Sequence, residues 1–201
     1  MPTNEIADRL TAGATATAPA LLLRRWGPAD AAELARLHRD EALRRHLLHT
    51  VADEAGAARW IQEQGRHWEA GDRFAFAVVE CPDTAGREGQ ERLAGHAVVK
   101  GVTPGAATAE VGYWTAAHAR GRGVAPRALE ALTDWAFTAF AGQGLTRLEL
   151  LHSIDNTASC RVAHKCAYDL TATLPAAPPR HPLDGHLHLR TRVTGAGPRS
   201  A

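Results

Sequence analysis

The chain has 201 residues, 45% of them hydrophobic and 22% charged, with a formal net charge of +1. Such a length and composition describe one soluble domain able to bury a sizeable core, and a charge this small excludes broad attraction to nucleic acid or an anionic membrane. No apolar run approaches the roughly 20 residues needed to cross a bilayer.

Met1 to Ala20 places Glu5, Asp8 and Arg9 ahead of a run of Ala and Thr. It lacks the basic start and apolar block of a signal peptide, so residues 1–20 are expected to form a disordered leader. Leu21 to Trp26 reads as a strand stopped by Gly27-Pro28, and Asp30 is placed to cap or charge a helix carrying Leu34, Leu37 and His38. Glu41 to His49 is a short helical piece. From Asp53 to Trp68, Ala57, Trp60, Ile61, Gln64 and Trp68 share one helical face, which Gly71-Asp72 ends.

Phe74 to Cys81 and Leu93 to Val102 are strands joined by a polar hairpin loop, Pro82 to Glu91. Pro104-Gly105 turns into a strand over Thr108 to Thr115. A helix follows Arg120 to Ala125, with Ala125, Ala128, Leu129, Leu132, Trp135, Ala136 and Ala139 on one stripe. Pro126 falls in its first turn, where proline is tolerated. After Gly142 to Gly144 come a strand (Arg147 to Ser153), a helix (Asn156 to Cys166) and a strand (Tyr168 to Leu174). A proline-rich excursion (Pro175 to Pro182) leads to a last strand, His186 to Val193. The pattern predicts a mixed α/β domain over residues 21–194 and a tail over 195–201. Its sheet is mixed, with helices on both faces.

Cys81, Cys160 and Cys166 have neither metal-ligand nor disulfide-framework spacing, and read as thiols of a reducing cytoplasm. His181, His186 and His188 gather with Asp184 near the last strand, but no further ligand motif supports a metal, so none is expected.

Two stretches carry chemistry. Arg120-Gly121-Arg122-Gly123-Val124-Ala125 lies between a strand and a helix. Glycines let the backbone turn tightly and approach a ligand, and the first amides of a helix lack intrahelical partners and can face an anion. The second is Asn156-Thr157-Ala158-Ser159-Cys160-Arg161-Val162-Ala163-His164-Lys165-Cys166-Ala167-Tyr168. Asn156 is a natural helix cap, and Ser159, one turn on, shares its face.

Together these resemble the GNAT superfamily of acyl-CoA-dependent N-acetyltransferases. The first matches its coenzyme loop, Gln/Arg-x-x-Gly-x-Gly/Ala, at Arg120, Gly123 and Ala125. Glu110-Val111-Gly112-Tyr113-Trp114 and the second stretch resemble the RimJ/RimL-like branch, which acetylates N-terminal alanines of ribosomal proteins. Ala167 departs from that branch, where glycine is usual. The resemblance runs from about Leu21 to Val193. It implies a mostly antiparallel sheet of about seven strands, with the strands ending near Thr115 and Ser153 splayed around the pantetheine arm of acetyl-CoA.

Acyl transfer to an amine needs a held thioester, a stabilised oxyanion, a proton acceptor for the amine and a proton for the thiolate. Arg120, Gly121, Arg122, Gly123, Val124 and Ala125 supply amides to the pyrophosphate; the two arginine side chains either add charged contacts or are solvated. The backbone of Tyr113, Trp114 and Thr115 is expected to pair with pantetheine and to offer an oxyanion donor, while the Tyr113 and Trp114 side chains pack. By resemblance Asn156 also bonds the pantetheine arm and Ser159 assists the leaving thiolate. Arg161 reaches a phosphate or solvent, and Tyr168 is structural. Glu110 is the candidate base through a water; it otherwise positions a cationic acceptor or faces solvent.

The resulting expectation is a cytoplasmic N-acetyltransferase, monomer or homodimer, moving an acetyl group from acetyl-CoA to a protein N-terminus or a small-molecule amine. The alternative is a catalytically silent acyl-CoA-binding module. A nucleic-acid binder is disfavoured, because no basic face interleaved with aromatics is present.

Overall fold

A strand that is apolar on both alternating faces must be covered on both sides, and the central strands of this chain are of that kind. The computed structural model describes residues 6–47, 49–81, 91–179 and 181–193. In chain order they form β1 (Arg9–Ala12), β2 (Ala20–Arg25), α1 (Ala31–Leu37), α2 (Glu41–Arg44), α3 (Glu54–Ala70), β3 (Arg73–Cys81), β4 (Arg92–Lys100) and β5 (Thr108–Thr115). Then come α4 (Val124–Ala139), β6 (Arg147–Ser153), α5 (Thr157–Lys165), β7 (Asp169–Leu174) and β8 (Gly185–Thr191).

The strands make one sheet in the order β1-β2-β3-β4-β5-β6-β8-β7. All neighbours are antiparallel except β5 and β6, which run parallel across the α4 crossover. Phe74, Phe76 and Val78 of β3 face a cluster with Leu129, Leu132 and Trp135 of α4. Ala75, Ala77 and Val79, the alternate residues, face Leu34 of α1 and Ile61 of α3. Helices therefore cover both faces, as the pattern requires.

Eight strands form among the described residues, in keeping with the expected sheet of about seven, and the additional one lies in the segment expected to be a disordered leader. Arg9–Ala12 pairs with β2, while Ile6, Leu10 and Ala12 pack against the α4-side core. The Arg127 guanidinium of α4 donates to the carbonyls of Ala12 at 3.2 Å and Pro19 at 2.8 Å. Those two anchors order a stretch whose own sequence is too short and polar to announce a strand. Residues 1–5, 48, 82–90, 180 and 194–201 lie outside the described residues, and with them nearly all of the expected hairpin loop and the expected tail.

Two helical expectations change. The helical piece from Glu41 ends at Arg44, short of His49. Asp30 does not cap α1 with its side chain; it closes a short 3₁₀ turn, accepting from the Gly27 amide at 2.8 Å and from Arg24 through two bonds of 2.8 Å. The bidentate guanidinium outcompetes the helix amides for this carboxylate. Asp53 does cap α3, through Gly56 N at 2.7 Å, and Gly71 ends it in the left-handed region at φ 75°.

The sheet opens where β5 and β6 part. Thr108–Val111 pairs with Arg147–Leu150, and pairing stops there, although β5 continues to Thr115 and β6 to Ser153. The other side of β5 stays bound to β4 up to Gly95↔Thr115. Gly95 is obligatory in that contact: a Cβ there would stand 2.4 Å from the Trp114 carbonyl oxygen.

Candidate active site

One wall of the opening is the exposed backbone edge of β5. The Ala116 amide turns toward β4, donating to Ala94 O at 2.8 Å. Strand alternation then turns the backbone groups of Tyr113 and Thr115 the other way, into the gap left by β6. The side chains pack, as expected. Tyr113 lies against the α4-side core, and Trp114 is buried in the other cluster, 5.4 Å from the His38 ring and 6.0 Å from that of His96.

Beyond β5 a 3₁₀ turn, Ala117–Ala119, leads into the glycine loop. Gly121 and Gly123 both take φ 74°, and Gly123 is the N-cap of α4. A left-handed residue at each position bends the chain so that successive amides converge, the geometry of an anion-binding concavity. Among the described residues, none of the amides from Gly121 to Ala125 meets a hydrogen-bond acceptor. Pro126 lacks an N–H in the first turn, where helix amides have no intrahelical partner in any case.

The arginine side chains of this loop do something the sequence did not show. Arg120 is ion-paired with Asp40, the N-cap of α2. Arg122 is ion-paired at 3.0 Å with Glu80, whose side chain is only 8% exposed on β3. Both guanidinium groups pin the loop to its surroundings and leave the backbone amides as its free donors. α2 also touches the far wall, where Arg45 at its C-cap pairs with Asp155 at 3.0 Å. Asp40, Arg45 and Glu80 were not singled out from the sequence, because their partners are distant along the chain.

That far wall is the start of α5. Asn156 caps the helix, its Oδ1 accepting from the Ser159 amide at 3.1 Å. The cap uses the oxygen and leaves the side-chain NH₂ for a ligand. Ser159 is half-buried beside the Tyr113 hydroxyl, which is buried and makes no hydrogen bond among the described residues. Burial pushes the Tyr113 phenol up to about 12, and the neighbouring Ser159 opposes that rise only in part. Arg161 is exposed, with Thr157 Oγ1 3.5 Å away. Tyr168 is structural, its hydroxyl 2.6 Å from Thr133 Oγ1 in the core.

Asn156, Ser159 and Tyr113 are thus brought together, and Glu110 is not brought to them. Its side chain shares a sheet face with Gly112 and Trp114, opposite to Tyr113, and lies 2.7 Å from Lys100 Nζ. The histidine group also divides. Asp184 accepts from the Ala176 amide at 2.8 Å and His181 bridges back to Ala177. His186 and His188 instead meet His152 and Cys160, one ligand atom of each lying within 4.8 Å of the others. The expectation of no metal site did not foresee that grouping.

A parallel strand pair that splays beside a glycine loop opening a helix is the arrangement the resemblance to the GNAT superfamily implied. Residues 20–169 match the Acetyltransferase (GNAT) domain family, and the chain belongs to that family. Its fold is similar to Mycobacterium smegmatis RimJ in complex with CoA-disulfide, with a TM-score of 0.75 and 22% identity over 91% of this chain and 85% of that one. A putative ribosomal-protein-serine acetyltransferase from Vibrio cholerae gives 0.69 and 22%, covering 89% and 96% of the two chains. An acetyl transferase from Salmonella typhimurium that modifies the N-terminal serine of 50S ribosomal subunit protein L7/L12 gives 0.71 and 20%, covering 91% and 99%. No curated protein sequence matches the chain. Among the described residues no helix is long and apolar enough to cross a membrane.

Proposed function

We propose that this protein moves an acetyl group from acetyl-CoA to a primary amine by direct attack in a ternary complex in the cytoplasm. One observation carries the reading: the unpaired β5 edge from Gly112 to Thr115 is continuous with the acceptor-free amides of Gly121 to Ala125, with Asn156 and Ser159 facing it. An extended amide-bearing arm ending in a pyrophosphate fits that sequence of donors and acceptors.

In this reading the loop amides hold the pyrophosphate, and the backbone of Tyr113 and Thr115 pairs with the arm. One of their N–H groups meets the thioester oxygen as charge develops. The amine attacks the carbonyl carbon, the C–S bond breaks, and Ser159 donates a hydrogen bond to the departing sulfur. The amine gives up its proton through water; Glu110, ion-paired with Lys100 on the sheet face opposite Tyr113, is the candidate acceptor at the far end of that path, not a group in contact with the amine. The Salmonella protein modifies an N-terminal serine, which makes peptide N-termini the first acceptors to test here.

The test is acetyl-CoA turnover, read as free thiol, against peptides beginning with Ala, Ser or Thr, then polyamines and aminoglycosides. Amine-dependent thiol release with an acetylated product supports the reading. Coenzyme binding without turnover on any amine would favour a silent acyl-CoA-binding module.

A further inference from the structure

Beneath α5, three imidazoles and a thiol from three elements converge. His152 lies on the β6 face that also carries Leu148 and Leu150. Across the register, His186 stands opposite His152 and His188 opposite Leu150, and Cys160 reaches them from α5. The His152 and His188 rings stack at 5.1 Å, His186 lies edge-on to them at 5.7 and 6.1 Å, and Cys160 Sγ is 3.3 Å from His186 Nδ1. One ligand atom from each of the four groups lies within 4.8 Å of the other three.

Two of the rings are satisfied on one side only. His152 Nδ1 is 2.9 Å from the Ser153 carbonyl oxygen, and His188 Nδ1 is 3.2 Å from that of Tyr168. A carbonyl only accepts, so each Nδ1 carries the proton and each Nε2 presents a bare lone pair. Both Nε2 atoms are buried without a partner among the described residues. An orphaned buried polar atom costs about 1–3 kcal/mol, and here two occur in one cluster. An N–H fixed on a carbonyl with the opposite nitrogen free is how proteins aim an imidazole at a metal ion.

We propose that His152, Cys160, His186 and His188 form a tetrahedral site for a zinc ion. Zinc takes nitrogen at about 2.0–2.1 Å and sulfur at about 2.3 Å, which sets tetrahedral ligand atoms roughly 3.3–3.7 Å apart. A side-chain movement of about 1 Å closes the present cluster to that spacing. On binding, Cys160 releases its thiol proton to solvent and the zinc–sulfur bond forms; the imidazoles enter neutral. Three nitrogens and a thiolate leave no open position, so the ion is structural. It ties α5 to β6 and β8 behind Asn156 and Ser159. A simple Cys160–His186 nucleophile pair would use one ring and leave the other two Nε2 atoms unexplained. The site is independent of the acyl-transfer reading.

The test uses the full chain without a histidine tag, expressed with added zinc and desalted into metal-free buffer. About one zinc per chain should remain bound, and stripping it with a chelator should lower the melting temperature by several degrees, reversibly on zinc addition. Cobalt replacing zinc should give the intense visible bands of a tetrahedral site and a thiolate-to-metal charge-transfer band. That band should vanish in Cys160→Ser and persist in Cys81→Ser. Less than roughly a tenth of an equivalent retained, a weak octahedral cobalt spectrum, or a sulfur band that survives Cys160→Ser would each overturn the site. Should Cys160→Ser not fold, alkylation of the wild type decides: zinc shields Cys160 if the site is real, and leaves its labelling rate unchanged if it is not.

Discussion

Ala167 sits just past α5 at φ 51°, the one non-glycine residue with positive φ among those described. An L-residue there pays roughly 1–2 kcal/mol that glycine does not, partly offset by the extra freedom glycine has when unfolded. Ala167→Gly should therefore stabilise the protein by about 1 kcal/mol in denaturant unfolding, and a loss of stability would show that the methyl group packs favourably. Ser159→Ala should reduce the maximal rate more than acetyl-CoA affinity, toward the 10²–10⁴-fold typical of a positioned proton donor; an unchanged rate makes Ser159 a packing residue. If Glu110 relays the amine proton, Glu110→Gln should slow turnover at neutral pH, with a deficit that shrinks as pH rises and the amine deprotonates by itself. Superimposable pH profiles and kinetic constants would remove it from the site. At this scale the sequence exposed the glycine turn at Gly121 and Gly123 and the Asn156 cap, which follow from local backbone geometry. It could not expose Asp40 and Glu80, which claim the loop arginines from other elements.

Among the elements, strands with strong alternation were legible to within a residue or two, and Thr108–Thr115 and Arg147–Ser153 coincide with their expected limits. β1 was not legible, because pairing with β2 and the Arg127 anchor stabilise it more than its own four residues do. Gly95 carried no local signal either; its need arises from the close approach of β5. Gly95→Ala forces the Trp114 carbonyl away, and overpacking of this kind costs about 1–3 kcal/mol. The variant should melt at a lower temperature and bind coenzyme A more weakly, since the displaced backbone borders the opening. Lower stability with wild-type coenzyme affinity would separate this edge from the binding site.

The molecule as a whole buries titratable groups on its α1–α3 side. His96 Nδ1 lies 3.1 Å from both the Trp26 indole nitrogen and the Phe76 carbonyl oxygen, and burial pushes the ring down to about 3; burial also lowers His38. Unfolded histidine binds a proton near its ordinary value of 6.5, whereas these folded rings do not. The stability His96 contributes is therefore complete above that pH and is lost progressively as pH falls toward 3, and the lowered His38 acts in the same direction. His96→Gln keeps a group able to donate and accept beside Phe76 and Trp26 and removes the titration, so it should flatten the stability profile through that window; an unchanged slope would assign acid sensitivity to other groups. Composition revealed the aromatic content but not that these rings meet across the sheet.

The central claim is that the amides of Gly121 to Ala125 hold the coenzyme, and calorimetry with coenzyme A on the wild type and Gly123→Glu tests it most directly. Glutamate at φ 74° costs about 1–2 kcal/mol of stability, but its chief effect is to put a carboxylate where the pyrophosphate should lie. A binding heat is expected for the wild type and none for the variant, which should still unfold cooperatively at a modestly lower temperature. Wild-type affinity in a folded Gly123→Glu protein would contradict the claim.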